Sequence, residues 1–241
     1  MPQGLLSAAN VVQAKTGGVD AAIAPVSLDA GAQAGSTVIV ELHADGVPFT
    51  DGGFGGRVPD GFGFDGGAIP GAGVYPFMYI FRKPGVAAGE GVAGSTSWDF
   101  SYLVTTGWNW RVTEWDTGLE PVSPLDAIAY NSASGTAPTA LSTGTTTENG
   151  RPDTVCLAWH HWHRPSNTAE SMTFSDHTNG FTVRDSLRRA FGTTELYECW
   201  SWKFATAVAQ HECTATINLA TRNSQDVYIA MLAVYAATTY A

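Results

Sequence analysis

The chain has 241 residues, 44% hydrophobic and only 14% charged, a core-forming composition that excludes a disordered, self-solvating polymer. Its formal net charge of −10, from 12 Lys and Arg against 22 Asp and Glu, leaves no basic surface for counterion-release binding, so nucleic acid is excluded as a partner. Three cysteines, Cys156, Cys199 and Cys213, cannot all pair and show no C-x-x-C spacing, so they are expected to be reduced apolar fillers made in a reducing cytosol.

Residues 1–34 are rich in Ala, Gly and Val, nearly uncharged and without a helical period; they are expected to form an extended N-terminal arm that packs on another body. The opening MPQGLLSAANVVQAKTGG lacks a basic leader with a continuous apolar stretch, and nowhere do about 18 apolar residues run together. Neither an export signal nor membrane insertion is expected.

From residue 35 the chain reads as β-structure to its end. Strands are expected near 36–43 (STVIVELH), 74–83 (VYPFMYIFRK), 97–104, 108–115 (WNWRVTEW), 126–131, 153–163 (DTVCLAWHHWH), 169–175, 196–206 (LYECWSWKFAT), 212–219 and 226–236. WNWRVTEW and YECWSWKF alternate large apolar with polar residues, the pattern of a strand with one buried face. Such strands, separated by Gly, Pro, Asn and Thr, predict an all-β fold: a two-sheet antiparallel β-sandwich, jelly-roll-like, spanning 35–241.

Two low-complexity stretches interrupt it. The glycine-rich segment 46–73, carrying Phe49, Phe54, Phe62 and Phe64, reads as a long ordered loop, and the Ser/Thr-rich segment 131–150 as an exposed connection between halves. The halves, 35–130 and 151–237, line up in three places: TVIVELH with TVCLAWH, MYIFRK with LYECWSWK, and WRVTEW with IAMLAVY. Internal duplication and the chance likeness of any strand-rich chain both explain this.

The residues that invite chemistry are few. In Trp159-His160-His161-Trp162-His163, strand alternation puts His161 and His163 on one face, where they offer two metal ligands. Completion would need His177, His211, Asp176 or Glu212 from elsewhere, so structural histidines are the favoured reading and no metal or cofactor is expected. There is no G-x-S-x-G elbow, GFGGRVPDG lacks the G-K-[ST] ending of a phosphate loop, and no pair of carboxylates stands out for glycoside hydrolysis. No catalytic residue is assigned. Eight tryptophans raise sugar stacking as an alternative, although Trp108, Trp110, Trp200 and Trp202 are read mainly as core.

Five segments carry a wider likeness: GSTVIVELHADG (35–46), YIFRKPGVAAGEG (79–91) with STSWDFSY (95–102), WRVTEWDTGLEPVSPLDAIA (110–129), RPDTVCLAWHHW (151–162) and DVYIAMLAVYAA (226–237). Through them the chain resembles a family of Gly/Ala/Thr-rich β-sandwich proteins of tailed-bacteriophage virions, especially of phages infecting actinobacteria. The resemblance implies a non-enzymatic virion component, assembled in the host cytoplasm as a homo-oligomer among other virion proteins. Its place would be a minor tail protein near the adsorption apparatus, or a capsid decoration protein. A reading from another class is a carbohydrate-binding module for a cell-envelope glycan, with Phe54, Phe62, Phe64 and Trp162 as glycan or partner contacts.

Overall fold

Strand-length runs of β-branched and aromatic residues become fifteen strands in the computed structural model, which describes residues 6–19, 23–46, 58–68, 77–101, 105–116, 119, 125–165, 171–191 and 194–237. Every strand ladder is antiparallel. The chain is all-β, as its alternation predicts. No helix among the described residues is long and apolar enough to cross a membrane.

The chain divides into two compact units, one holding the described residues up to Leu119 together with Ala237, the other those from Leu125 to Ala236. Each carries its own pair of sheets, where a single sandwich over 35–241 was expected. The first unit contains β1 (Val11–Val19), β2 (Ile23–Val26), β3 (Thr37–Gly46), β4 (Gly63–Ala68), β5 (Phe77–Lys83), β6 (Trp98–Ser101) and β7 (Thr105–Trp115). Its large sheet runs β1-β7-β3-β5-β4 and its small one pairs β2 with β6.

Between these two sheets lies an apolar core. Val38, Val40 and Leu42 of β3, Phe77, Tyr79 and Phe81 of β5, and Trp108, Trp110 and Val112 of β7 meet Val26, Trp98 and Phe100 of the small sheet. Gly17 of β1 faces Trp110 across the ladder, where an added Cβ would stand 2.3 Å from the indole. The missing side chain makes room for the ring.

The segment expected to be an extended arm packing on another body supplies β1 and β2 to this unit. The acid Glu114 on β7 explains why. It accepts hydrogen bonds from Gln13 Nε2 at 2.7 Å, the Gln33 backbone N–H at 2.6 Å and Ser36 Oγ at 2.7 Å, so one buried carboxylate holds three points of the N-terminal segment. Asn10 Nδ2 adds contacts to both oxygens of Asp116, each at 3.2 Å. The glycine-rich loop is likewise partly strand, since β4 pairs with β5; residues 47–57 and 69–76 lie outside the described residues.

The second unit contains β8 (Leu125–Ser134), β9 (Ala140–Ser142), β10 (Thr154–Arg164), β11 (Met172–Ser175), β12 (Thr182–Phe191), β13 (Thr194–Ala205), β14 (Thr214–Leu219) and β15 (Val227–Ala236). Its large sheet runs β12-β13-β10-β15-β8, facing a small sheet β11-β14-β9. Counted within the unit, the large layer runs first, eighth, third, sixth, fifth and the small one second, seventh, fourth; this is jelly-roll-like connectivity, with the fifth strand carried on the large layer beside the sixth. Trp162, Tyr197, Cys199, Tyr228 and Ala230 of the large sheet pack on Leu141, Met172, Phe174, Ala215 and Ile217 of the small one.

β10 and β15 are buried along their whole length on both faces, which is why they read as nearly unbroken apolar and aromatic runs. The expected exposed connection 131–150 belongs to this unit: its Thr143, Thr146 and Asn149 are buried, and their backbone N–H groups donate to the carbonyls of Cys213, His211 and Ala209. Exchanging β1, β3, β4, β5 and β7 for β8, β10, β12, β13 and β15 turns the order of the first large sheet into that of the second. TVIVELH and TVCLAWH, the first of the aligned segments, are the two central strands.

Candidate functional site

The histidine strand β10 presents its residues alternately to two surroundings. Cys156, Ala158, His160 and Trp162 face the interior between the sheets of the second unit, while Trp159, His161 and His163 take the opposite face. The partner of His161 is Glu198, which sits directly across from it on β13. His161 Nδ1 lies 2.8 Å from Glu198 Oε1, and Trp159 Nε1 donates to Glu198 Oε2. All three residues are buried, and Trp159 stacks on Trp200 with ring centroids 5.8 Å apart.

None of the four residues nominated to complete a metal set with His161 and His163 supplies this partner. His177 lies edge-on to His160, centroids 5.2 Å apart, in the neighbourhood of the opposite face of β10. Glu198 was absent from the nominations, yet a lone acid among Leu196, Trp200 and Trp202 on an aromatic strand face signals a buried carboxylate in need of donors.

The interior of the second unit gathers the thiols. Cys199 Sγ is 3.7 Å from His177 Nε2, and Cys213 Sγ is 3.9 Å from Ser201 Oγ. All three cysteines are free and buried. Burial pushes the thiols up, Cys156 to about 11 and Cys199 and Cys213 to about 12, so they are neutral, inert fillers. Burial, and next the nearby His177, drives His160 down to about 3, leaving it a neutral ring against Phe174.

The nominated contact residues separate. Trp162 is fully buried, with the Arg164 guanidinium 5.0 Å above its ring, so it offers no face to a glycan; on a strand whose even positions point inward it has no route out. Phe62 packs edge-on to Trp98 and Phe100 and is half-buried. Phe64, on β4, is 43% exposed while leaning on Tyr79 and Phe81, and Phe54 lies outside the described residues.

A surface pocket opens elsewhere on the second unit. It has a volume of about 340 Å³ and is lined by Thr145, Asn179, Lys203, Gln210, His211 and Glu212. These come from the segment after β9, the β11–β12 turn, the end of β13 and the β13–β14 connection. Ser142 Oγ donates to Glu212 Oε1 at 2.6 Å and Thr145 Oγ1 to Oε2 at 3.1 Å, while Asn179 Nδ2 donates to the Glu212 carbonyl at 2.9 Å. Thr146 fixes His211 through two backbone contacts, its N–H donating to the His211 carbonyl at 2.8 Å and its hydroxyl accepting from the His211 N–H at 2.9 Å.

His211 is only 4% exposed, and neither ring nitrogen has a hydrogen-bond partner among the described residues. Burial, and then the Lys203 ammonium, hold this ring below its ordinary value and therefore neutral at pH 7. Sequence reasoning considered His211 and Glu212 only as metal ligands. Lys203 and Gln210 were missed because nothing local marks a polar residue near the end of β13 and another in the following connection as neighbours of a turn 24 and 31 positions away. Comparison of the chain with protein-family models, with curated proteins and with solved structures finds no match.

Proposed function

We propose that the chain is a non-catalytic structural component of a tailed-phage virion, a minor tail protein near the adsorption apparatus that contacts other copies of itself and neighbouring virion proteins. The observation that carries this reading is the repeated large-sheet order, β1-β7-β3-β5-β4 in one unit and β8-β15-β10-β13-β12 in the other. Jelly-roll sandwiches are recurrent building blocks of viral particles and of lectins, and the second unit has jelly-roll-like connectivity. The step from fold to particle is analogy, and it rests on the resemblance to virion proteins read in the sequence over most of residues 35–237.

The side chains that invited chemistry support the same reading. His161 and Glu198 are tied to each other across a ladder, and His160 is a neutral ring in a core. These partnerships stabilise strands. The unit repeat is read as the product of an internal duplication, with the β3 and β10 segments as its clearest trace.

The test is mass spectrometry of purified phage particles that carry the gene, followed by immunogold labelling with antibody against the chain. Gold at the tail tip is the expected result. Gold over the head would overturn the tail placement in favour of capsid decoration, and absence of the chain from particles would overturn the virion reading.

A further inference from the structure

We infer that the pocket of the second unit formed by Thr145, Asn179, Lys203, Gln210, His211 and Glu212 binds a neutral saccharide ring. At about 340 Å³ it has room for a single small ligand, near the roughly 300 Å³ at which small-molecule sites begin. Every lining side chain is polar, so an apolar occupant would strand buried hydrogen-bonding groups.

The inventory of groups selects among polar ligands. Lys203 brings donors only, Glu212 and Thr145, whose hydroxyl proton goes to Glu212, bring acceptors, and Asn179, Gln210 and the neutral His211 ring bring both kinds. Vicinal hydroxyls, each of which donates and accepts, match a mixed set of this kind. A phosphate would face the Glu212 carboxylate, a metal cation would face the Lys203 ammonium, and the chain's net charge of −10 opposes polyanions generally. One ammonium beside one carboxylate leaves the pocket balanced, which suits an uncharged ring.

Two features show a site that is held in shape and short of partners. Glu212 is fixed by Ser142 and Thr145, and the His211 backbone by Thr146, so the walls are positioned before any ligand arrives. Among the described residues Lys203 has no ion-pair partner and both His211 ring nitrogens lack a hydrogen-bond partner. A buried polar group without a partner calls for an explanation, and hydroxyl groups entering the pocket supply one. No Trp, Tyr or Phe is among the described residues that line the pocket, so the affinity expected is weak, with Kd in the range of about 1–10 mM, a strength that many copies can raise through multivalency.

The inference stands apart from the virion reading, since a saccharide pocket is tested on the purified chain. The experiment is saturation-transfer NMR on the full chain with the methyl glycosides of glucose, galactose, mannose, arabinose and N-acetylglucosamine, and with glucuronate as a charged comparison. At least one neutral glycoside is expected to show saturable transfer. Its Kd is expected to rise at least about fivefold, roughly 1 kcal/mol, in both Lys203→Met and Gln210→Ala. Both positions retain solvent contact, and circular dichroism with a thermal midpoint verifies folding; Asn179→Ala is the substitute should either variant unfold. Absence of transfer at about 20 mM of every glycoside, or unchanged binding by the pocket variants, would overturn the proposal. Glucuronate binding tenfold tighter than every neutral ring would overturn the neutral assignment.

Discussion

Arg164 and Asp226 form a two-pronged ion pair, Nε to Oδ1 at 2.6 Å and Nη2 to Oδ2 at 2.8 Å, with neither side chain more than 2% exposed. The pair ties the end of β10 to the start of β15. Arg164 Nη2 also donates to the Thr221 carbonyl at 2.6 Å, and Asp226 Oδ2 accepts from the Asn223 N–H at 2.8 Å, so the turn before β15 is organised around the same charges.

Removing one partner strands the other. Asp226→Ala is expected to destabilise the protein by about 3–5 kcal/mol, because a guanidinium then remains buried without a counter-charge. Replacing both, as Arg164→Met with Asp226→Ala, is expected to cost less than the sum of the single changes, since no charge is left behind. Urea unfolding followed by tryptophan fluorescence measures all three. A loss under about 1 kcal/mol for Asp226→Ala would mean that water reaches Arg164 freely.

His160 makes stability depend on pH with a definite sign. Its folded value of about 3 lies below the ordinary 6.5, so between those values the unfolded chain binds a proton that the folded chain refuses. Its contribution is fully present above pH 6.5 and is lost as the pH falls, by up to about 1.4 kcal/mol per unit. Burial shifts His177 and His211 in the same direction, so the wild-type slope exceeds that of one group. Unfolding free energies between about pH 6.5 and 5 are expected to fall in the wild type and to fall less steeply, by nearly one proton, in His160→Gln. Equal slopes would show that His160 protonates readily inside the fold.

The three thiols give a chemical readout of the same core. With Cys156 raised to about 11 and Cys199 and Cys213 to about 12, almost no thiolate exists at pH 8 and none of the sulfurs is exposed. Ellman's reagent is expected to find essentially no reactive thiol in the native chain and three per molecule in guanidinium. Rapid native reaction of a single cysteine would reveal local opening of the second unit.

The strands legible in the sequence were those with a dense apolar pattern, and they are central or well covered: β3, β5, β7, β10, β13 and β15 all follow from period-2 or continuous apolar runs. The strands that escaped have physical reasons to. β12, an edge strand carrying Arg184, Asp185, Arg188 and Arg189, shows no apolar face because its charges guard an open edge. β4 reads GFDGGA because backbone approaches too closely for side chains, an added Cβ at Gly67 standing 2.7 Å from the Met78 carbonyl oxygen. β9 has only three residues.

The chemical groups were less legible than the fold. That His161 and His163 share a face follows from alternation, but that Glu198 meets His161 depends on the β10–β13 register, a relation between strands that no local pattern encodes. The pocket is harder still to foresee, being assembled from four separated segments around Lys203 and His211. Trp162 was nominated as a glycan or partner contact because exposed tryptophan faces stack on sugar rings, and its parity on β10 turns it inward instead.

Glu114 decides whether the N-terminal segment belongs to the fold. Its carboxylate takes bonds from Gln13, Gln33 and Ser36, and among the described strands β1 is paired in its sheet with β7 alone, so the edge strand and the residues after β2 rely on this acid. Hydrogen bonds to a charged group contribute about 1.5–3 kcal/mol each, and Glu114→Ala removes three at once, leaving the Gln33 N–H without its acceptor while the Ser36 hydroxyl keeps the Gln33 carbonyl at 2.8 Å. The expected loss is about 3 kcal/mol or more, concentrated in residues 11–36. Hydrogen exchange read by mass spectrometry is the suitable measurement, because it separates loosening of β1 and β2 from global unfolding. Faster exchange confined to 11–36, with β10 and β15 unchanged, would identify Glu114 as the clamp of this segment. Uniform protection in the variant would show instead that the β1–β7 ladder and the packing of Val26 and Leu28 hold the segment without it.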